Sequence, residues 1–522
     1  MRDLLPPRWR PVIKAIGYPL MVVAALCWCA LVVDGVRALF GLSDPLDRVS
    51  GIALGAEPQA LQGLSIAYGV RVLALLALLA VPAWLSLFWL RTRRTAVAEA
   101  RAEAALRAEL DARYARAIDR LGHAQRAVRL GGIYALEQVA RESLSHHLPV
   151  MQALAAYVRT NAPASMAPAP LPAWDAALSG EDAREAAFEA HFGKRPFSLD
   201  DALAQWVDAL PGPEADIQAA LTILARRSAA GRAQEHQDGR RIPIDLRDSY
   251  LARADLSNAQ LDGVLLSGAH LAGATLSEAT LERASLAGAH LEQVRLDEAR
   301  MDGADLSGAW LQKADLRWAD LENASLQDAH LEHAMLVEAH FERAELKGAC
   351  LTQAVLRGAV GVEAGLRGAA LDRAILTSAR LEGADLRGAN LQRAALGGTD
   401  FEKATLVGAR FDGAEMRHGF LGDADLRGAV FAGTVLRDTA ITGATLRSTD
   451  LSGARELDPE TLDETFGVKA GAGRTLLPEG VAPPEHWFDA RDDATLDAYE
   501  DALRAWRGED EDGAEERDED AD

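Results

Sequence analysis

The chain has 522 residues, 55 basic against 78 acidic, for a net charge of −23, and only three cysteines. That length allows about two to four folded units, and the acidic balance speaks against general nucleic-acid binding through phosphate contacts. Three cysteines exclude a disulfide-stapled fold and any cluster built on repeated cysteine pairs.

Ala15 to Val33 and Val72 to Leu90 are uncharged apolar runs of nineteen residues each, the length a helix needs to cross a bilayer core. Pro19 and Pro82 are tolerable where neighbours re-satisfy the freed backbone. Arg2, Arg8, Arg10 and Lys14 precede the first run, and Arg91, Arg93 and Arg94 follow the second. The loop between them holds Asp34, Asp44, Asp47 and Glu57 against Arg37 and Arg48. The positive-inside bias therefore predicts a transmembrane hairpin over 1–91, with spans at about 15–33 and 70–90 and both termini in the cytoplasm. A cleaved signal peptide fits less well, because the first run is long and a second follows.

Residues 92–165 read as a helical connector. Thr92 to Leu121 is Ala-rich with interspersed Arg and Glu, which favours helix. Leu130, Ile133, Leu136, Val139 and Ala140 then fall on one helical face, and a further helix fits Val150 to Val158, after Pro149. The adjacent His146 and His147 diverge on a helix, so they make no metal site. Residues 166–240 read as an Ala/Pro-rich stretch leading into a mostly helical module, with segments at Glu181 to Phe192, Leu199 to Leu210 and Ala215 to Arg227, where Trp206 suits a core.

From 241 to 455 the chain keeps a period of five. Leu306, Leu311, Leu316 and Leu321 recur at one phase, and Ala304, Ala309, Ala314 and Ala319 two residues earlier. A helix would scatter those leucines around its axis, and a plain strand would turn alternate ones to solvent. A short extended piece followed by a turn returns every fifth residue to the same role, with Ala and Leu inside and three positions outside. Gly268, Gly273, Gly288, Gly303, Gly308, Gly383 and Gly388 fall two residues after the apolar one, where a type II corner needs positive φ. Gly361 occupies a leucine phase, which predicts a weak or kinked coil at that level.

Ala384-Asp-Leu-Arg-Gly388, Ala389-Asn-Leu-Gln-Arg393 and Ala424-Asp-Leu-Arg-Gly428 resemble the A-(D/N)-L-x-x motif of the pentapeptide repeat family. The resemblance covers about two fifths of the chain, and the flanking segments look like those of bacterial membrane-anchored members. It implies a mainly β fold: a right-handed quadrilateral β-helix, four pentapeptides per coil, behind the transmembrane hairpin and the α-helical connector. Ten or so coils would make a rod roughly 50 Å long.

One outward column at twenty-residue spacing is His270, His290, Trp310, His330 and Cys350. Such spacing does not by itself make a metal site, and a plain surface ladder is the simpler reading. His340 and Asp320 share another column, as a surface ion pair. Gly471-Ala-Gly473-Arg-Thr475 lacks the lysine of a phosphate loop. No nucleophile elbow, cofactor motif or metal cluster appears, and flat repeated faces offer no concave pocket, so the sequence predicts no enzyme and no cofactor. Residues 456–507 read as a cap and short helix carrying Leu496, Tyr499, Leu503 and Trp506 on one face, and 508–522 as an acidic, disordered tail.

The leading functional expectation is a membrane-tethered scaffold at the bacterial inner membrane, presenting a rigid rod to an unidentified cytoplasmic protein. The resemblance supplies an alternative, since some soluble members imitate DNA and bind gyrase. A second alternative is an envelope sensor using the loop after Asp34. End-to-end pairing of rods is left open.

Overall fold

The computed structural model describes residues 94, 98–168, 199–237, 240–490 and 496–508. The chain divides into two compact units, 1–109 and 110–522. The expected hairpin at 1–91, the segment Glu181 to Phe192 and the acidic stretch from Glu509 lie outside the described residues. Among those described, no helix is long and apolar enough to cross a membrane.

Helix α1 (98–121) is followed by α2 (Arg126–Glu142) and α3 (Leu144–Asn161). The face expected on α2 is the one that packs: Ile133, Leu136, Val139 and Ala140 are buried. The expected break at Pro149 does not occur, because the proline sits inside α3. A proline there removes one backbone donor, and burial of Val150, Met151, Leu154 and Val158 outweighs that loss. After α4 (Leu199–Ala209) come α5 (Ala215–Ala225) and α6 (Ala229–Gln234), then a two-residue hairpin of β1 (His236–Gln237) and β2 (Arg240–Arg241).

The helices close the first coil. Tyr250 N–H donates to Ala162 O at 2.6 Å, Ala164 N–H to Asp248 O at 2.6 Å and Gln260 N–H to Ala225 O at 2.8 Å. Leu154, Leu221 and Leu224 share one core with Leu246, Leu251 and Leu256. An open coil end would expose both a row of backbone donors and a leucine stack; the helices cover both.

From Asp245 paired with Leu265 to Val435 paired with Arg455, each residue ending in 0 or 5 bridges the one twenty later in parallel. Four five-residue sides thus make each turn of a β-helix. Leu306, Leu311, Leu316, Leu321 and Ala304, Ala309, Ala314, Ala319 are all within 1% of complete burial. Most corners are closed by a hydrogen bond from the N–H of the small inner residue to the carbonyl of the apolar residue three before, as in Ala254 to Leu251 at 3.1 Å.

Positive φ occurs at every corner from Asp248 to Ser448, yet only seventeen of the forty-one residues there are glycine. Side chains such as Trp318 and Arg343 adopt it at φ 58° and 55°. Each of these costs roughly 1 kcal/mol, and the ladder on both sides enforces the conformation. Where threonine replaces the inner alanine, its hydroxyl needs a partner. Thr399, Thr434, Thr439 and Thr449 each donate to a backbone carbonyl twenty-three residues back, at 2.6 to 2.8 Å.

Gly361 corrects an expectation. A Cβ there would stand 2.0 Å from the ring of Phe341, one coil earlier. Phe341 is 1% exposed and fills the level, and the bridges of Val360 to His340 and to Arg380 are unbroken.

The period ends at the C-terminal side. Thr445 pairs with Phe466 and Asp450 with Leu476, offsets longer than twenty. A 3₁₀ turn (Pro459–Glu464) leads to β3 (Val468–Gly471), which pairs in parallel with β4 (Phe488–Ala490). Helix α7 (Leu496–Arg507) closes a small core of Phe466, Val468, Ala490, Tyr499 and Leu503. Trp487 is buried, its indole N–H donating to Thr465 O at 3.0 Å. Thr475, in the glycine-flanked segment, donates to Leu446 O, so its hydroxyl serves the cap.

Candidate interaction faces of the coil

Period five on a twenty-residue turn sorts every outward side chain into one of four faces, repeated at about 4.8 Å per coil. Each face offers two columns: the bridging residue, and the residue just after the buried leucine. Chemistry on this fold is therefore written as columns.

The first face carries the column singled out by spacing. Tyr250, His270, His290, Trp310 and His330 stack ring on ring, with centroid separations of 5.2, 5.2, 6.0 and 4.3 Å. Trp206 of α4 packs on His270 at 5.8 Å. Burial, with the neighbouring His290 adding to it, pushes His270 down to about 4. His290 Nδ1 lies 3.0 Å from Glu292 Oε1, which raises its pKa against the opposing effect of burial. Burial pushes the Cys350 thiol up to about 11, so it remains protonated at neutral pH. Among the described residues no three His, Cys, Asp or Glu side chains converge as a metal-binding group. The ladder brings the five predicted residues into one line without giving them a ligand set. Gln312, beside it, is fully buried with neither amide atom partnered; its place was invisible in the sequence because the following position is polar in almost every unit.

The next face is apolar in its middle. Met335, Val355, Ile375 and Ala395 succeed one another in the bridging column, with Val337 beside them. Met335 is 40% exposed, and Trp318, on the adjoining corner, is 46% exposed. The Arg317 guanidinium lies 5.3 Å over the Trp318 ring, and the indole N–H donates to Glu338.

The third face is acidic. Asp262, Glu282, Asp302, Glu322, Glu342, Glu382 and Glu402 form a single column interrupted only by Val362. Arg300 pairs with Glu282, Arg343 with Glu322 and Arg380 with Glu382 at its margin. His340 sits here too, bridging Asp320 but facing Glu342 at 3.4 Å, so its ion partner is the residue two ahead in its own unit rather than the expected Asp320. The fourth face carries Lys347, Arg367, Arg387, Arg427 and Arg447 in one column.

Two buried polar clusters hold the helical end and were not foreseen. Asp216, 1% exposed, accepts from Arg129 at 2.7 Å and from the Tyr157 hydroxyl at 2.6 Å. Burial raises its pKa, but those two donors outweigh it and hold the carboxyl below its usual range. The other centres on Glu235, bonded to both Arg227 and His147.

The family profile described as pentapeptide repeats matches this coil in successive copies between residues 244 and 455, the first over 244–283 and the last over 421–455. The coil belongs to the pentapeptide repeat family. Three solved structures are similar to it. The pentapeptide repeat protein HetL of the cyanobacterium Nostoc, involved in heterocyst differentiation regulation, is 32% identical over 38% of this chain and 89% of its own, with a TM-score of 0.25. A pentapeptide repeat protein of the Arabidopsis thaliana thylakoid lumen is 33% identical over 20% of this chain and 68% of its own, with a TM-score of 0.16. QnrB1, a plasmid-mediated fluoroquinolone resistance protein, is 18% identical over 35% and 93%, with a TM-score of 0.33. No curated protein matches the chain. Pentapeptide repeats set the geometry of the faces; what each face carries is particular to this chain.

Proposed function

We propose that the chain is a non-enzymatic scaffold, tethered to the bacterial inner membrane by residues 1–91, that presents the pentapeptide-repeat coil to a cytoplasmic partner protein. The carrying observation is the outward apolar run Met335, Val355 and Ile375 beside the exposed Trp318. Bridging positions elsewhere on that face hold Asp255, Arg295, Asp315 and Glu415. An aromatic anchor with apolar neighbours and an arginine at the rim is the composition of an interface centre. The two uncharged runs and their flanking arginines support the tether.

Proximity labelling from the intact chain, compared with Met335→Asp/Ile375→Asp and with deletion of Met1 to Arg94, tests both halves. The reading requires the double variant to lose a subset of partners and the deletion to change the distribution. Unchanged partners in the double variant would remove the apolar face from the account, and an unchanged distribution would remove the tether.

The acidic column from Asp262 to Glu402 favours a second reading, in which the rod imitates the charge of DNA and binds gyrase. Regular carboxylates along a rigid line set up a sustained negative potential. Inhibition of gyrase supercoiling by the full chain, weakened by Glu342→Lys/Glu382→Lys, would support it, and absence of inhibition would end it.

A further inference from the structure

Helix α1 carries Arg113, Arg116 and Arg120 on one face, at spacings of three and four. Like charges so placed are neighbours and oppose helix formation, and they gather here in a chain whose net charge is −23. The face looks toward α2 across a recess of about 260 Å³, walled by the three arginines and Gln138 and lined between them by Ala117, Ala135 and Val139. Ala117 and Val139 are each 1% exposed, so the floor is apolar. The two helices approach closely at Gly132, where a Cβ would stand 2.9 Å from both Ala117 O and Arg120 Cβ. Beyond that crossing, the short side chains of Ala117 and Ala135 leave the space open.

One end of the recess is electrically neutral. Arg113 donates to Glu142 at 3.0 Å, and Glu142 also accepts from Gln138 at 2.7 Å. The other end is not. Arg116 spends only Nε, on Ala112 O at 3.1 Å, and neither it nor Arg120 has an ion pair among the described residues. Of the carboxylates nearby, Glu137 is held by Arg141 and Asp111 by His146. Asp119 lies about 60° round α1 from Arg116 and about 100° from Arg120, and it pairs with neither. Two guanidiniums therefore face the recess without a counter-ion.

A guanidinium presents a planar fork that matches two phosphate oxygens. A phosphate monoester carries about −1.5 to −2 charges at pH 7, which two free guanidiniums balance. The recess falls just below the usual ligand-pocket range of about 300–1,000 Å³, so its occupant is small, and the floor suits a hydrocarbon body. We infer that Arg116 and Arg120 bind the phosphate of a small phosphate monoester whose apolar part rests on Ala117 and Val139, the phosphate belonging to a soluble molecule or to a lipid headgroup. This inference goes beyond the scaffold reading and stands independently of it, because no residue of the recess belongs to the coil.

The test is calorimetric titration of the full chain, in neutral detergent, with phenyl phosphate. One saturable site is expected. Arg116→Gln/Arg120→Gln, which removes the charge and keeps the recess, should weaken it at least ten-fold. Ala135→Leu, which fills the recess and keeps the charge, should weaken it at least five-fold. Benzenesulfonate, similar in shape with one charge fewer, should bind the unaltered chain at least five-fold more weakly. Micelles doped with phosphatidic acid separate the two sources: displacement of phenyl phosphate assigns the recess to a lipid headgroup, and undiminished binding assigns it to a soluble molecule. No saturable site, equal affinity for the sulfonate, or unchanged binding in either variant would each overturn the inference. The sulfonate comparison needs no variant, so a misfolded mutant leaves the proposal decidable.

Discussion

The ring of Phe341 occupies the space that a side chain at Gly361 would need, with Cε2 only 2.0 Å from where the Cβ would stand. Neither residue follows the leucine rule of its column, and together they keep it. A stacked solenoid conserves volume between neighbouring coils rather than residue by residue.

Gly361→Ala should therefore cost about 1–3 kcal/mol by overpacking, and Phe341→Ala about 3–5 kcal/mol by opening a cavity. The combination Phe341→Ala/Gly361→Ala should be milder than the two single changes added. Denaturant unfolding of the four proteins in a mutant cycle checks this; additivity within error would show the sites to be uncoupled.

Thr399→Val should destabilise by about 1 kcal/mol, since it keeps the shape but removes the hydroxyl that donates to Leu376 O. Gln312→Leu should go the other way, gaining about 1 kcal/mol, because it removes two buried polar atoms that have no partner. Unfolding midpoints of both variants decide the matter, and a destabilised Gln312→Leu would point to a partner for the amide.

Asp216→Asn should cost about 3 kcal/mol, because it leaves the Arg129 charge without its buried counterpart. The folded-state pKa of Asp216 is depressed, so its contribution is full above the ordinary carboxylate range and is lost as pH falls through the folded value. The variant's penalty should shrink correspondingly in acid, read from unfolding at a series of pH values.

His270 shifts the acid response at a higher pH. It titrates near 4 instead of 6.5 when folded, so as pH falls the unfolded chain takes up this proton first. Its contribution is whole above 6.5 and drains toward about 4, at a slope of up to about 1.4 kcal/mol per pH unit. His290, raised by Glu292, works in the opposite sense, with stability present below the unfolded value and lost as pH rises through the folded one. His270→Phe, which keeps a ring between Tyr250, Trp206 and His290, should flatten the fall between pH 6.5 and 4. An unchanged profile would show that His270 is not the responsible group.

The coil was legible in the chain because its rule is local. Leu306 and Ala304 have one role in every unit, and five-residue spacing admits only one kind of backbone that keeps both dry. The α2 face and the α7 face were legible for the same reason, as simple helical periodicity. Pro149 was misread because a proline's cost is local while the burial of Met151 and Leu154 that outweighs it is not. The corner rule was legible in direction but not in strictness, since the ladder forces Trp318 and Arg343 into a conformation their side chains disfavour.

What the amino-acid order determined alone was the period and the inside and outside of each unit; the pairing of residue n with n + 20 was implied only by the family resemblance and is fixed by the ladder of bridges. Tertiary structure decided everything that depends on which coil lies above which side chain. It let Phe341 fill Gly361, joined Asp216 to Arg129 and Tyr157, and set α7 on Arg427. Those contacts join residues 20 to 87 positions apart, and only a folded coil measures that distance in ångströms rather than in residues.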